Sequence, residues 1–109
     1  MKKSTKKTTR KKKWYRPEWY TPIYQNLIKV VRKRDGMKCQ FPGCKRRRYG
    51  MQVHHILPFN KYVAQRYNPF NCILLCSKCH EKVTGKEHVY AALFSRIVMT
   101  NTIKQNKYE

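Results

Sequence analysis

Acidic side chains are nearly missing from this chain: five Asp and Glu stand against 26 Lys and Arg, a formal net charge of +21 over 109 residues. Solubility does not require that asymmetry, and a field of this sign draws polyanions by releasing their condensed counterions. Nucleic acid is therefore the expected partner. An anionic membrane is the weaker competitor, because the basic N-terminal stretch lacks the apolar face of an interfacial helix. Also missing is any apolar run near the ~20 residues needed to span a bilayer. No apolar segment follows the basic N-terminus, so no secretory signal is expected. Cysteine is present in an odd number, five, which argues against a fully paired disulfide framework and for a reducing compartment. The expected location is intracellular and cytoplasmic. Internal repeats are absent too. One small domain remains, with 40% hydrophobic residues, enough for a modest core that a metal would usefully staple.

Residues 1–13 hold eight basic side chains and no acid, with only Met1, Ser and Thr besides. Such a tail stays disordered until it meets phosphates; a nuclear-targeting signal has the same composition, and the arm that grips nucleic acid is preferred. Residues 14–109 are expected to form the folded domain. It opens on an aromatic cluster, Trp14, Tyr15, Trp19, Tyr20 and Tyr24, broken by Pro17 and Pro22. These rings could stack on bases beside Arg16, but a flap over the core is favoured.

Ile23, Leu27, Val30 and Val31 recur at helical spacing and predict a helix from Ile23 to Arg34, closed by Asp35-Gly36. Tyr49 to Ile56 alternates, with Met51, Val53 and His55 to one side and Gln52 and His54 to the other, and reads as a strand. Leu57 to Pro69 reads as loop, and Cys72 to Leu75 as the second strand of a hairpin. A short helix is expected over Cys79 to Thr84. Beyond Gly85 a closing helix is expected over Glu87 to Met99, with Val89, Leu93, Ile97 and Val98 as its apolar stripe.

Cys39-x4-Cys44 and Cys76-x2-Cys79 form two knuckles. Structural zinc takes four thiolate or imidazole ligands at tetrahedral corners, and two short knuckles supply a pair each. Closing such a site couples metal binding to folding. Cys72 lies within an apolar run and reads as a buried small hydrophobe.

The histidines are the second cluster: the adjacent pair His54-His55, and His80 directly after the last knuckle. Neighbours on a strand point to opposite faces, so a twist or bulge is expected before both could serve one site. Phosphodiester hydrolysis needs a Lewis acid and a base of near-neutral pKa, and imidazole can serve on either side of that arrangement. A histidine pair taken alone is more often structural.

Its context changes the weight. Arg34-Asp35-Gly36-Met37-Lys38-Cys39, then His54-His55-Ile56-Leu57-Pro58, Asn71, and Leu75-Cys76-x-x-Cys79-His80 together resemble the HNH endonucleases, most of all the small zinc-knuckle members of phages and restriction systems. The resemblance runs from about Trp14 to Thr84. It implies a small α+β fold, the ββα-metal motif, braced by the four-cysteine zinc site with flanking N- and C-terminal helices. It implies that His54 and His80 hold a catalytic divalent ion, that His55 is the general base, and that Asn71 fixes the loop and the base's geometry. Relatives with a third protein ligand often carry it one helical turn on, where this chain has Thr84, a poor ligand; His88 lies too far along. The catalytic ion is left open among Mg, Mn, Ni, Co and Zn, of which imidazole suits all but Mg best. Arg46, Arg47, Arg48, Lys61, Arg66 and Lys82 are the candidates for gripping DNA phosphates. The alternative is a zinc-knuckle binder of DNA or RNA without catalysis, which needs the cysteines and charge but not His54, His55 and Asn71 together. Phage packaging, restriction and intron mobility all suit such a nuclease, with a mild lean by analogy to a phage-type nicking or packaging enzyme acting in the host cytoplasm. A homodimer or a larger phage assembly stays open.

Overall fold

A computed structural model describes residues 21–107; the basic tail and Trp14, Tyr15, Trp19 and Tyr20 lie outside the described residues. Helix α1 spans Pro22–Arg34. The Thr21 hydroxyl accepts the Tyr24 N–H at 3.3 Å, and Pro22 occupies the first turn, where a missing N–H costs nothing. Arg32, Lys33 and Arg34 fill the last turn, as the helix dipole favours. The chain then turns through Gly36 at φ 67°, a left-handed conformation that suits glycine.

The buried face of α1 is Tyr24, Leu27, Val31 and Arg34, not the expected stripe. Ile23 is 62% exposed and Val30 39%. The face is rotated because the Tyr24 ring packs inward and because Arg34 is drawn into a buried ion pair. Its guanidinium meets the Asp35 carboxylate through two bonds, 2.8 and 2.9 Å. It also donates to the carbonyls of Pro69 and Cys72. Asp35 in turn accepts the Leu74 N–H at 3.0 Å, and Gln40 donates its N–H to the Leu74 carbonyl at 2.9 Å. The residues after α1 thereby close one edge of the hairpin.

That hairpin pairs β1 (Met51–His55) with β2 (Cys72–Cys76) antiparallel, from Met51 opposite Cys76 to His55 opposite Cys72. Tyr49, placed in the strand by its alternation, is 81% exposed and outside it. Every residue of β2 is buried. The connection is a chain of turns rather than plain loop, with short 3-10 helices at Val63–Gln65 and Pro69–Asn71.

Helix α2 (Ser77–Val83) starts earlier than expected because the second knuckle is its first turn: Cys76 caps it, its sulfur accepting the Cys79 N–H at 3.4 Å. Hairpin and α2 together make the ββα unit, so the small α+β fold stands. Helix α3 (Glu87–Lys107) runs past Met99. Thr100 and Thr102 stay helical by returning their hydroxyls to the Arg96 and Val98 carbonyls. Asn101 donates to both Asp35 and Gln40. The buried residues of α3 are Phe94 and Val98; of the expected stripe, Val89 is 61% exposed and Leu93 38%. Phe94 takes their place because Phe41, Tyr90 and His54 surround its ring. Among the described residues no helix is long and apolar enough to cross a membrane.

Candidate functional site

The four knuckle cysteines converge. Their sulfurs all lie within 4.8 Å of one another, no disulfide joins any of the five cysteines, and Cys44 Sγ stands 3.8 Å from Cys76 Sγ. Tetrahedral zinc with ~2.3 Å bonds to sulfur sets sulfur–sulfur separations near ~3.8 Å, so this donor set fits such an ion. Burial pushes the Cys76 thiol up, but hydrogen bonds from the Cys79 N–H and the neighbouring thiols outweigh it and bring it to about 7, toward the thiolate a metal takes. In the same cluster of interacting thiols, burial raises Cys39 and Cys79. Cys72 stands apart from the cluster, fully buried, its thiol pushed up by burial to about 12; it is a small hydrophobe, as expected.

A second site lies along β1. His54, only 3% exposed, faces His80 with ring centroids 5.3 Å apart and nearly perpendicular planes. The edge of the pair is held by Phe94, 5.6 Å from the His54 ring. The His54 Nε2 is buried and has no hydrogen-bond partner among the described residues. Burial, with the His80 charge adding to it, pulls His54 down to about 4. His80 is also lowered by burial, against the opposing charge of Glu87. Both rings are therefore neutral near pH 7, the form that ligates metal. An unpartnered buried imidazole nitrogen beside a second neutral imidazole fits a divalent ion.

His55 points elsewhere on the strand and is held by contacts with Tyr24, Phe59 and Arg66. Tyr24 stacks parallel to it at 6.3 Å, Phe59 meets its edge at 5.1 Å, and its Nε2 lies 2.9 Å from the Arg66 carbonyl. A carbonyl only accepts, so Nε2 carries the proton and Nδ1 is the basic nitrogen of the neutral ring.

The two neighbours nonetheless border one cavity of about 370 Å³, together with Tyr24, Phe59, His80, Thr84 and Glu87. The expected bulge is not there: pairing is one-to-one through His55. The sheet has two strands, so β1 is an edge, and the cavity opens along it.

Asn71 sits behind this cavity, 6% exposed. Its Oδ1 accepts the Leu57 N–H at 2.8 Å, and its Nδ2 donates to the carbonyls of Leu57 and Gln65, both at 3.2 Å. Its own carbonyl accepts the Ile56 N–H at 2.7 Å. One side chain thus ties the segment leaving His55 to the segment carrying Arg66.

Of the six basic candidates, Arg46, Arg47, Arg48, Lys61 and Lys82 are exposed. Arg46 and Lys82 border a cleft beside the cysteine cluster, and Lys82 Nζ lies 4.6 Å over the Phe41 ring. Arg66 differs: its guanidinium donates to the Phe59 carbonyl at 2.8 Å and lies 4.4 Å over the Phe59 ring, so it braces the loop that holds His55. His88 is exposed, and the Thr84 hydroxyl donates to the His80 carbonyl at 2.7 Å. Glu87 was not singled out in the sequence; its rarity as an acid was the available signal. Burial raises its carboxyl, but hydrogen bonds from its own N–H and that of Gly85, with the charges of His54 and His80, outweigh it and hold the carboxyl low.

Residues 37–86 match the family model of the HNH endonucleases. That segment, just under half of the chain, contains both knuckles, the hairpin, α2, His54, His55, Asn71 and His80, and the chain is similar to the family over it; Arg34 to Gly36, and the residues back to Trp14, lie outside the match. No curated protein and no solved structure matches the chain.

Proposed function

We propose that the protein is a metal-dependent endonuclease that hydrolyses DNA phosphodiester bonds. One observation carries the reading: buried His54, whose Nε2 has no partner among the described residues, stands against His80 at a cavity that His55 also borders. His54 and His80 would hold a divalent ion, which supplies Lewis-acid stabilisation of charge on the phosphate and the leaving oxygen. The four cysteines would hold a structural zinc.

His55 takes the proton of the attacking water at Nδ1, while its Nε2–H stays on the Arg66 carbonyl and so fixes the tautomer. Tyr24 and Phe59 keep the ring from turning. Asn71 acts through position, keeping Leu57 and Gln65 at the spacing that places Arg66 against the base. Water attacks phosphorus, the bond to the 3′-oxygen breaks and that oxygen takes a proton from solvent water, leaving 5′-phosphate and 3′-hydroxyl ends, as the family resemblance implies. Arg46, Arg47, Arg48, Lys61 and Lys82 grip flanking phosphates, which positions DNA without reading its sequence; Arg66 contributes through the loop.

A plasmid nicking assay tests this, comparing wild type with His55→Ala across Mg, Mn, Ni, Co and Zn. Metal-dependent nicking that the variant loses while it still binds DNA is the expected result. No cleavage with any ion, beside tight and salt-sensitive binding, would leave a zinc-stapled nucleic-acid binder instead.

A further inference from the structure

The histidine cavity has a charge character unlike the rest of the chain. Of the 17 Lys and Arg among the described residues, none borders it, while Glu87, one of only five acids in the chain, does. The acid comes from the start of α3, beyond the ββα unit, and is held there by the Gly85 N–H, which donates to Oε2 at 3.2 Å. A glutamate in the first turn of a helix is by itself only a favourable dipole contact. Here it shares a cavity with His54, whose Nε2 is buried and unpartnered among the described residues. An anion beside the imidazoles of His54 and His80, with no Lys or Arg among the described lining residues, makes a lining suited to a divalent cation.

We propose that Glu87 is the third protein member of this metal site, the place that Thr84 leaves unfilled; the inference rests on the nuclease reading of His54 and His80. Among the described residues only the cysteines bring three or more ligand atoms all within 4.8 Å of one another. Glu87 therefore acts through a water on the ion or by turning one oxygen inward while the other keeps the Gly85 bond. The consequence is specific. A carboxylate adds a hard oxygen donor to two imidazoles, which strengthens the hold on Mn and extends the site toward Mg, the ion imidazoles alone serve least well.

Manganese titrated into zinc-saturated protein without DNA tests this, with free Mn read by electron paramagnetic resonance, since thiolates do not select Mn. Glu87→Gln keeps an oxygen for the Gly85 N–H, and a thermal melt checks that the fold is retained. We expect Glu87→Gln to weaken Mn binding by about 10- to 100-fold, the range for supporting carboxylates at metal sites. Glu81→Gln, which removes the same charge from α2, should leave binding near wild type, and His54→Leu should abolish it. The Mn concentration for half-maximal nicking should rise in parallel for Glu87→Gln. Wild-type binding by Glu87→Gln, or equal weakening by Glu81→Gln, overturns the role of Glu87 and leaves the nuclease reading standing. Failure of wild type to bind Mn at all overturns the proposed metal site together with the role of Glu87.

Discussion

Replacing Asn71 by alanine removes three hydrogen bonds at once and strands the Leu57 N–H with the Leu57 and Gln65 carbonyls. Each such bond contributes about 0.5–1.5 kcal/mol net, so the three together are worth on the order of 2–4 kcal/mol. For a domain of ~100 residues that lowers the melting temperature by on the order of 10–25 °C. Catalysis should suffer beyond the loss of folded protein. The Arg66 carbonyl that orients His55 lies one residue from Gln65, and misplacement of a catalytic group by ~1 Å can cost on the order of 100-fold in rate. Asn71→Asp sharpens the test. It matches the native side chain in size and still accepts the Leu57 N–H, but it sets an oxygen against two carbonyl oxygens. It should be no more stable than the alanine variant at neutral pH. The assay is a thermal melt in zinc-saturated buffer, followed by nicking rates well below both midpoints. An aspartate variant that melts with wild type would refute the reasoning, since the two donor contacts would then contribute nothing. Normal nicking by folded Asn71→Ala would refute the positioning role.

Asp35→Ala should cost about 3–5 kcal/mol, because it leaves the Arg34 guanidinium buried without its carboxylate. Urea unfolding measures it, and a loss below ~1 kcal/mol would mean the pair behaves as a surface contact. Stripping zinc with a chelator, or Cys76→Ser, should unfold the ββα unit, because on the proposed reading a metal ion would close the four converging knuckle sulfurs; far-UV circular dichroism with metal analysis reads both, and a chelated protein with an unchanged spectrum would exclude a structural role. Acid should destabilise the zinc-loaded protein through His54. Its folded value of about 4 lies below the ordinary 6.5, so the unfolded chain binds the extra proton in that window. Stability is full above about 6.5 and falls as pH drops toward about 4, by at most about 3 kcal/mol. His54→Leu should flatten that part of the urea-derived pH profile, and an identical slope in both proteins would assign the acid loss elsewhere.

Metal-ligand chemistry was legible in the linear chain because it needs rare residue types at tight local spacing. The knuckles Cys39–Cys44 and Cys76–Cys79, the pair His54-His55, and His80 met that condition, and the structure brings the four sulfurs together and sets His54 against His80. Helices and strands were legible for the same local reason: period and caps locate α1, β1, β2 and α3, with error confined to their ends.

Periodicity gives a stripe but leaves its rotation to whatever packs against it. Tyr24 and Arg34 take the inward places expected of Ile23 and Val30 on α1, through an inward-packed ring and a buried ion pair; Phe94 does the same on α3 for Leu93. The destinations of Asn71, Arg66 and Glu87 depend on contacts that no spacing in the chain encodes. Asn71 bonds across the loop to Leu57, Arg66 braces Phe59 where phosphate contact was expected, and Glu87 enters the histidine cavity from α3. Residue type and local order by themselves determined which candidate ligands and which family resemblance this chain presents. Tertiary structure decided which side chains stand together, because hydrogen bonds and charge pairs over such distances exist only once the chain has closed around its core.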